Sequence, residues 1–209
     1  MSDLVTVDHA ADGRLAVVTM NRPQQRNATS IAMLDALDAA LDAATAGGST
    51  EALVLAGAGR SFCAGLDLDE VRADADTIRR LLVRLGEVMR RIRRLEPVTV
   101  AAVQGAAIGG GFGFMCACDF AVTHAEAKIG YPPPATGLSP ALMAPWLVRK
   151  LGPSGARAMM LAGGTIPGDE AHRRGLATHL VAPEAVGDTA RELAERALEA
   201  PAGALAALK

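Results

Sequence analysis

Two stretches, each a short apolar run that ends in glycines, constrain the fold of this chain more than any other feature. The first runs from Leu53 through Gly57-Ala58-Gly59 to Asp67, and the second from Ala101 through Gly109-Gly110-Gly111 to Gly113. Glycine allows backbone geometries and close approaches that other residues do not. A helix that begins at such a loop presents unpaired N–H groups and the positive end of its dipole. Each loop therefore indicates either a site of backbone donors or, more simply, tight packing.

Several functional classes do not fit this sequence. No Lys-Ser/Thr pair follows the glycines, which excludes a P-loop, and their spacing does not give GxGxxG followed by an acid. The net charge of −2 argues against a nucleic-acid binder. Tyr131 and Trp146 are each the single residue of their kind, so there is no array of stacking aromatics. No metal site is predicted, because the four histidines show no ligand spacing; they are His9, His124, His172 and His179.

Strand and helix patterns alternate along the 209 residues, which is about the length of one domain. Apolar runs predict strands at 15–20, 52–55, 98–103, 120–123 and 177–181. Thr29-Ser30 can cap a helix that ends near Ala44. Residues 78–95 read as an amphipathic helix whose other face carries arginines. That face indicates a solvated surface or, alternatively, one that attracts phosphate. The alternation predicts an α/β architecture.

The cysteines and the hydropathy pattern indicate where such a chain is found. Cys63, Cys116 and Cys118 are an odd number, which fits free thiols in a reducing cytosol. The polar, acidic start of the sequence has no apolar signal core, so a cytoplasmic protein is expected. Residues 98–118 are nearly apolar and about as long as a membrane span. Their five glycines favour a strand, a loop and a buried helix instead, so no membrane partner is predicted.

Further motifs accompany the two loops in a fixed order. They are Asn21-Arg22-Pro23 with Asn27-Ala28, Ser61-Phe62-Cys63-Ala64-Gly65-Leu66-Asp67-Leu68, residues 101–111, Cys118-Asp119, Gly137-Leu138-Ser139-Pro140, and Ala171 to Gly175-Leu176. Together they resemble the enoyl-CoA hydratase/isomerase (crotonase) family over roughly residues 5–183. The resemblance implies an α/β fold, the crotonase-type spiral of ββα units, in a homotrimer or hexamer.

The resemblance also implies a division of the chain. Residues 1–200 would form the acyl-CoA-binding domain, and residues 201–209 would begin the C-terminal helical segment that builds the trimer. The family normally continues with further helices beyond this stretch, so the sequence is expected either to lack a tail or to be naturally short.

Family members hold an acyl-CoA thioester in an oxyanion hole made of backbone N–H groups. Carried over to this sequence, the resemblance makes Ala64 and Gly110 that pair. Coenzyme A would run along Gly65, Leu66 and Asp67. Arg26 and Arg60 are possible contacts to its phosphates. Coenzyme A is then part of the substrate, and no separate cofactor is expected.

The chain departs from the family where proton transfer takes place. Hydratases of this family use two glutamates, at the positions of Gly113 and Pro133, and some isomerases use one at the position of Ala141. None of these three residues can move a proton. The candidate replacements are Asp67, Glu70 and Tyr131, each with a simpler interpretation: a loop cap, an acid favoured by a helix dipole, and a packed tyrosine. Cys63 has no identifiable base beside it, which disfavours a nucleophilic role.

Two functions of different classes remain open. The first is an enzyme that stabilises an enolate-type intermediate, with isomerase or decarboxylase chemistry in place of hydration. Decarboxylation suits such a site, because loss of CO₂ generates the enolate and needs no general base. The second is a non-catalytic carrier or sensor of acyl-CoA that kept the fold and lost the chemistry.

Overall fold

A six-stranded sheet and a smaller three-stranded sheet organise the chain. The computed structural model describes residues 4–131, 140–201 and 204–209. The larger sheet has the order β1-β2-β3-β4-β6-β9 and the smaller one the order β5-β7-β8. The strands are β1 Val5–Ala10, β2 Leu15–Met20, β3 Ala52–Gly57, β4 Val98–Val103, β5 Ala107–Ile108, β6 Phe120–Thr123, β7 Lys128–Tyr131, β8 Gly164–Pro167 and β9 His179–Leu180. In the larger sheet β1 runs antiparallel to β2, and every other pairing is parallel.

The four central strands coincide with predicted strands, because a parallel strand covered on both faces is a continuous apolar run. All six residues of β4 are buried. The fifth predicted strand is shortened to His179–Leu180. Sequence patterns did not indicate β1, β5, β7 or β8. β5 has only two residues, and β1 has mostly half-exposed or exposed side chains, so neither forms an apolar run.

Helices cover both faces of the larger sheet. They are α1 Ile31–Thr45, α2 Leu68–Ala73, α3 Ala75–Arg94, α4 Gly110–Ala117, α5 Ala144–Ala162, α6 Gly168–Arg173 and α7 Val186–Ala197. The main core lies between the sheet and α1, α3 and α4. A second, smaller core packs Val186, Ala190 and Ala194 of α7 against the opposite face. Ser30 caps α1 as predicted, because its side chain accepts a hydrogen bond from the Met33 N–H at 3.1 Å. The predicted α/β architecture is confirmed.

The arginine face of α3 is not simply solvated. Arg84 donates to Asp35 and Asp38 at 2.7 and 2.8 Å, and Arg91 donates to Asp38 at 2.5 Å and also pairs with Asp42. These acids lie one turn apart on α1, so α3 and α1 are joined by a ladder of ion pairs. The charges of Arg84 and Arg91 are therefore balanced by acids within the fold. This disfavours, for these two arginines, the interpretation of the face as one that attracts phosphate.

Among the described residues, none of the helices combines the length and the apolar character needed to cross a bilayer. The strongly apolar stretch at 98–118 is divided among β4, β5 and α4, as its glycines predicted. Within the described ranges there is likewise no group of three or more His, Cys, Asp or Glu side chains placed to hold a metal ion.

Candidate active site

The two glycine loops meet at a cavity of about 380 Å³, called here the central cavity. The turn at Pro140–Met143 and apolar side chains of α2 and α3 close its other sides. Its lining residues are Ala64, Gly65, Leu66, Leu68, Val71, Leu82, Leu85, Gly109, Gly110, Tyr131, Ala141, Leu142 and Met143. In the described part of the chain this wall is almost entirely apolar and includes no carboxylate. The site predicted from the two loops is therefore a single place in the fold.

Backbone hydrogen bonds attach the first loop to the second. The Cys63 N–H donates to the Ala106 carbonyl, and the Ile108 N–H donates to the Cys63 carbonyl, both at 2.9 Å. The N–H of the following residue, Ala64, points away from the second loop and donates to the carbonyl oxygen of Arg26 at 3.0 Å. An N–H engaged in a protein hydrogen bond cannot also serve as a free donor to a ligand. Ala64 therefore lines the cavity, but its N–H is already bonded within the fold, and its part as an oxyanion donor stays a prediction.

Leu66 has the free N–H that Ala64 lacks. The Thr29 N–H donates to the Gly65 carbonyl at 2.7 Å, and the Asp67 N–H donates to the Thr29 carbonyl at 2.9 Å. In such a parallel bridge the backbone groups of the intervening residue point away from the partner strand. The Leu66 N–H accordingly faces away from Thr29 and has no acceptor among the residues that the structure describes. Because Leu66 lines the central cavity, its N–H is the available donor of this loop.

The second loop supplies a donor at the start of α4. Gly109 adopts a φ of 53°, which favours glycine, and its N–H donates to the Gly130 carbonyl at 2.9 Å. The first helical bond of α4 runs from the Gly113 N–H to the Gly109 carbonyl at 3.0 Å. The Gly110 N–H lies before that bond and has no protein acceptor within the described ranges. Gly110 thus occupies the position predicted for it, at the positive end of the helix dipole.

Thr29 and Asn27 hold this arrangement, although sequence reasoning gave them no separate role. Both are fully buried. The Thr29 hydroxyl donates to the Gly65 carbonyl at 3.1 Å and lies 3.1 Å from the point where a Cβ on Gly110 would stand. The Asn27 amide donates to the carbonyls of Ser61 and Ala58 at 2.9 and 3.0 Å. A buried threonine or asparagine beside a glycine loop is the signal that could have identified them.

The three suggested proton donors are engaged in the fold. Asp67 is buried, caps α2 through the Asp69 N–H at 3.0 Å, and pairs with Arg22 at 2.5 Å. Glu70 accepts the Ile31 N–H at 2.9 Å at the start of α1. The Tyr131 ring borders the central cavity, but its hydroxyl donates to the Met159 carbonyl. In each case the simpler interpretation agrees with the contacts, and none presents a free acid to the cavity.

Two of these groups have shifted pKa values. Burial by itself would raise the pKa of the Asp67 carboxyl, but the hydrogen bonds from Arg22 and the Asp69 N–H outweigh it and hold that pKa below its usual value. Burial raises the pKa of Tyr131. The lowered pKa favours the ionised Asp67 carboxylate, which accepts the hydrogen bond from Arg22. The raised pKa favours the protonated Tyr131 hydroxyl, which donates to Met159.

The three cysteines are buried thiols. Burial raises the pKa of Cys63, Cys116 and Cys118 to about 12 in each case. A thiol with such a pKa is almost entirely protonated at neutral pH, and the thiolate is the nucleophile. This environment disfavours a nucleophilic role for Cys63, as the sequence predicted.

The space beside Gly113 is occupied by sulfur. A Cβ on Gly113 would lie within van der Waals overlap of the Met89 Sδ and 2.9 Å from the Met143 methyl carbon. Both methionines are buried. A glutamate side chain at this position would have to displace them. Pro133 lies outside the described residues, but the sequence contains no Asp or Glu between Glu126 and Asp169, so that segment contributes no carboxylate wherever it lies.

A second cavity of about 470 Å³, called here the lysine cavity, adjoins the first. It shares Ala64 with the central cavity and is lined by three exposed cations, Arg26, Arg60 and Lys128. None of the three has a carboxylate partner among the described residues, and Glu126 is the one acid on its wall. The structure therefore places the two predicted arginines together and adds Lys128, which sequence reasoning missed because it stands alone on a short strand.

The chain is similar to known proteins in sequence and in fold. The family model described as Enoyl-CoA hydratase/isomerase matches residues 10–209. The chain is 36% identical to a putative enoyl-CoA hydratase of Thermus thermophilus over 88% of its own length and 74% of that protein. It is 33% identical to a short-chain-enoyl-CoA hydratase of Clostridium acetobutylicum, over 88% and 72%. Pseudomonas aeruginosa AtuE superposes with a TM-score of 0.90 at 35% identity, covering 98% of this chain and 81% of that one. The chain belongs to the enoyl-CoA hydratase/isomerase (crotonase) family.

Proposed function

We propose that the central cavity binds the acyl part of an acyl-CoA thioester, and that the N–H groups of Leu66 and Gly110 receive its carbonyl oxygen. The observation that carries this proposal is the pair of unengaged N–H groups on the wall of one apolar cavity. Leu66 takes the part that the sequence had assigned to Ala64, whose N–H is bonded to Arg26. Gly110 keeps its predicted part.

Such a pair acts on the charge that develops during the reaction. When an enolate forms, negative charge collects on the thioester oxygen, and preorganised donors stabilise it more than they stabilise the ground state. One donor of this kind contributes about 3 kcal/mol in other enzymes, or roughly 100-fold in rate. The apolar wall strengthens the effect because it excludes water.

The lysine cavity is the proposed place for the phosphates of coenzyme A. Arg26, Arg60 and Lys128 are cations without a carboxylate partner among the described residues, and they lie beside Ala64, which also borders the central cavity. Guanidinium groups match phosphate oxygens in a bidentate geometry, and an ammonium group adds a compact charge. The thioester would then pass between the two cavities at Ala64, with Gly65 and Leu66 along its path.

The reaction that fits this wall best forms an enolate without a general base. Among the described residues no carboxylate lines the central cavity, and the Tyr131 hydroxyl is bonded to the Met159 carbonyl. In a decarboxylation the bond between the α-carbon and the carboxylate breaks, CO₂ leaves, and the electron pair stays on the enolate. Addition of water across a double bond instead needs an acid and a base. We therefore favour decarboxylation, with isomerisation second, over hydration.

The carbonyl stretch of a bound thioester tests the proposal. Infrared difference spectra of carbonyl-¹³C-labelled and unlabelled butyryl-CoA isolate that band, and two hydrogen bonds should move it to lower wavenumber than in water. An unshifted band in the saturated complex would show that no such donor pair exists. Turnover of α-carboxylated and simple acyl-CoA thioesters, followed by release of CO₂, tests the reaction.

The non-catalytic alternative rests on the same apolar wall, whose described residues include no free proton-transferring group. A carrier or sensor would bind the same thioesters and shift the same carbonyl band, but it would turn none of them over. Binding in the micromolar range with no product from any thioester of the panel favours that function.

A further inference from the structure

A third cavity, of about 650 Å³, adjoins the central cavity. It is called here the arginine cavity. Ala141 and Leu142 line both of them, so the short turn Pro140–Met143 borders each. The apolar central cavity therefore shares Ala64 with one cationic cavity and Ala141 and Leu142 with another.

The arginine cavity combines an apolar floor with unpaired positive charge. Trp146, Met89 and Leu142 form part of its wall. Arg93 and Lys209 both pair with the Asp119 carboxylate, at 2.6 and 2.9 Å. The three remaining cations have no carboxylate partner in the described part of the chain; they are Arg90, Arg94 and Arg149. Glu96 is the one acid on this wall, so positive charge prevails.

Arg90 reaches back toward the boundary between the two cavities. A side chain on a helix leans toward the N-terminal end of that helix. The Arg90 guanidinium accordingly lies over Gly86, with Nη1 3.4 Å from the point where a Cβ on Gly86 would stand, and Leu142 Cδ1 lies 3.0 Å from the same point. The absence of a side chain at Gly86 leaves the space in which Arg90 approaches Leu142.

The position of the Arg90 guanidinium relative to the proposed thioester site follows from α3. Leu85 Cδ1 lies 3.1 Å from the Cβ position of Gly110, so Leu85 is the α3 side chain beside the proposed thioester carbonyl. Gly86 is the next residue, and the Arg90 guanidinium and Leu142 both approach it. An acyl chain that enters beside Leu85 and passes Leu142 would bring its distal end to the guanidinium.

We propose that the acyl group of the substrate carries a carboxylate at its distal end, and that Arg90 and Arg149 bind this carboxylate. The inference rests on the proposed function, because it assumes a thioester carbonyl held at Leu66 and Gly110. A guanidinium fork matches a planar carboxylate. A purely hydrocarbon chain would instead end beside these charges and displace their hydrating water without supplying a hydrogen bond in its place.

Paired ligands of equal length test the proposal on the full chain. Calorimetric titration compares adipoyl-CoA with hexanoyl-CoA, and suberoyl-CoA with octanoyl-CoA. For at least one pair, the dicarboxylic thioester should bind about tenfold more tightly, as one charge-assisted contact allows. That ratio should fall as salt is added, because the arginines are exposed.

Two variants locate the contact. In the double variant Arg90→Gln, Arg149→Gln the ratio of affinities for the dicarboxylic and the simple thioester should fall to about one. Hexanoyl-CoA should bind as before, which shows that the variant is folded. Arg80→Gln is the matched control, since Arg80 is an exposed arginine of α3 that lines a separate surface cavity. It should keep the full preference.

The outcomes separate this inference from the proposed function. Equal affinity within both pairs, or a preference that survives in the double variant, overturns the inference and leaves acyl-CoA binding intact. If no thioester of either pair binds, the proposed function fails and the inference fails with it.

Discussion

The Asp67 carboxylate accepts a hydrogen bond from the Arg22 guanidinium at 2.5 Å, while its other oxygen accepts the Asp69 N–H at 3.0 Å. The pair joins the turn after β2 to the start of α2. Asp67→Asn removes the charge and should lower the free energy of unfolding at pH 7 by about 1–2 kcal/mol, in the range of a lost cap. Urea unfolding measures the change. The exposed Asp188→Asn on α7 is the control and should change stability little.

The same variant has a predicted pH dependence. The pKa of Asp67 in the folded protein lies below its usual value, which is about 3.9 in an unfolded chain. Its stabilising contribution is therefore complete above the unfolded pKa and is lost as the pH falls through the folded pKa. The stability difference between the parent and Asp67→Asn should hold from pH 7 to about 5 and narrow below about 4. A difference that grows on acidification would contradict this assignment.

Gly110 should tolerate no bulky side chain. A Cβ there would meet Leu85 Cδ1 and the Thr29 hydroxyl, each at 3.1 Å, and larger groups would fill the central cavity. Gly110→Leu should weaken binding of acyl-CoA at least tenfold by titration, since it removes the space that the thioester needs. Gly187→Leu on α7, where nothing lies within 4 Å of the Cβ position, is the control. Undiminished binding by Gly110→Leu would exclude this cavity as the acyl site.

Hydration of crotonyl-CoA should be very slow or absent. General acid–base catalysis supplies about 100- to 10,000-fold for each group, and neither expected glutamate is present in the sequence. A steady-state assay on short and long 2-enoyl-CoA substrates measures this. Turnover at or above about 10 s⁻¹, the median for enzymes, would refute the prediction. It would direct mutagenesis to Asp67, Glu70 and Tyr131.

Restoring one glutamate should require more room. In Gly113→Glu the new side chain would collide with Met89 and Met143, and overpacking of this kind costs about 1–3 kcal/mol of stability. Met89→Ala opens the space, so the double variant should be at least about 1 kcal/mol more stable than the sum of the two single changes predicts. Denaturant unfolding of the four proteins completes the cycle. Met160→Ala is the matched control, because Met160 is not among the nearest neighbours of Gly113. Combined with Gly113→Glu, it should lower the free energy of unfolding by the sum of the two single effects.

The cysteines should be unreactive in the native protein. With each pKa at about 12 and each side chain buried, almost no accessible thiolate exists at pH 8. Titration with a chromogenic disulfide should modify all three thiols in denaturant and fewer than one in the native state within the same time. Rapid labelling of Cys63 in the native protein would contradict this prediction and would favour a nucleophilic role for that thiol.

The sequence by itself determined the elements that are continuous apolar runs. The strands at 15–20, 98–103 and 120–123 coincide with the structure, because strands buried on both faces leave the same apolar signal wherever they pack. The Ser30 cap was also predictable, since it depends on residues within one turn. The two glycine loops and their family resemblance located the site and showed that its glutamates are absent.

Only the tertiary structure decided which backbone groups are free. Ala64 and Leu66 lie two residues apart in one loop, and nothing in their side chains shows that the first donates to Arg26 while the second has no acceptor. That difference depends on Thr29 and Arg26, about forty residues earlier in the chain, which approach the loop from one side. Sequence patterns likewise did not indicate the methionines beside Gly113 or the guanidinium over Gly86. Sequence patterns report which residues are buried, whereas the direction of an N–H or a guanidinium depends on segments brought together by the fold.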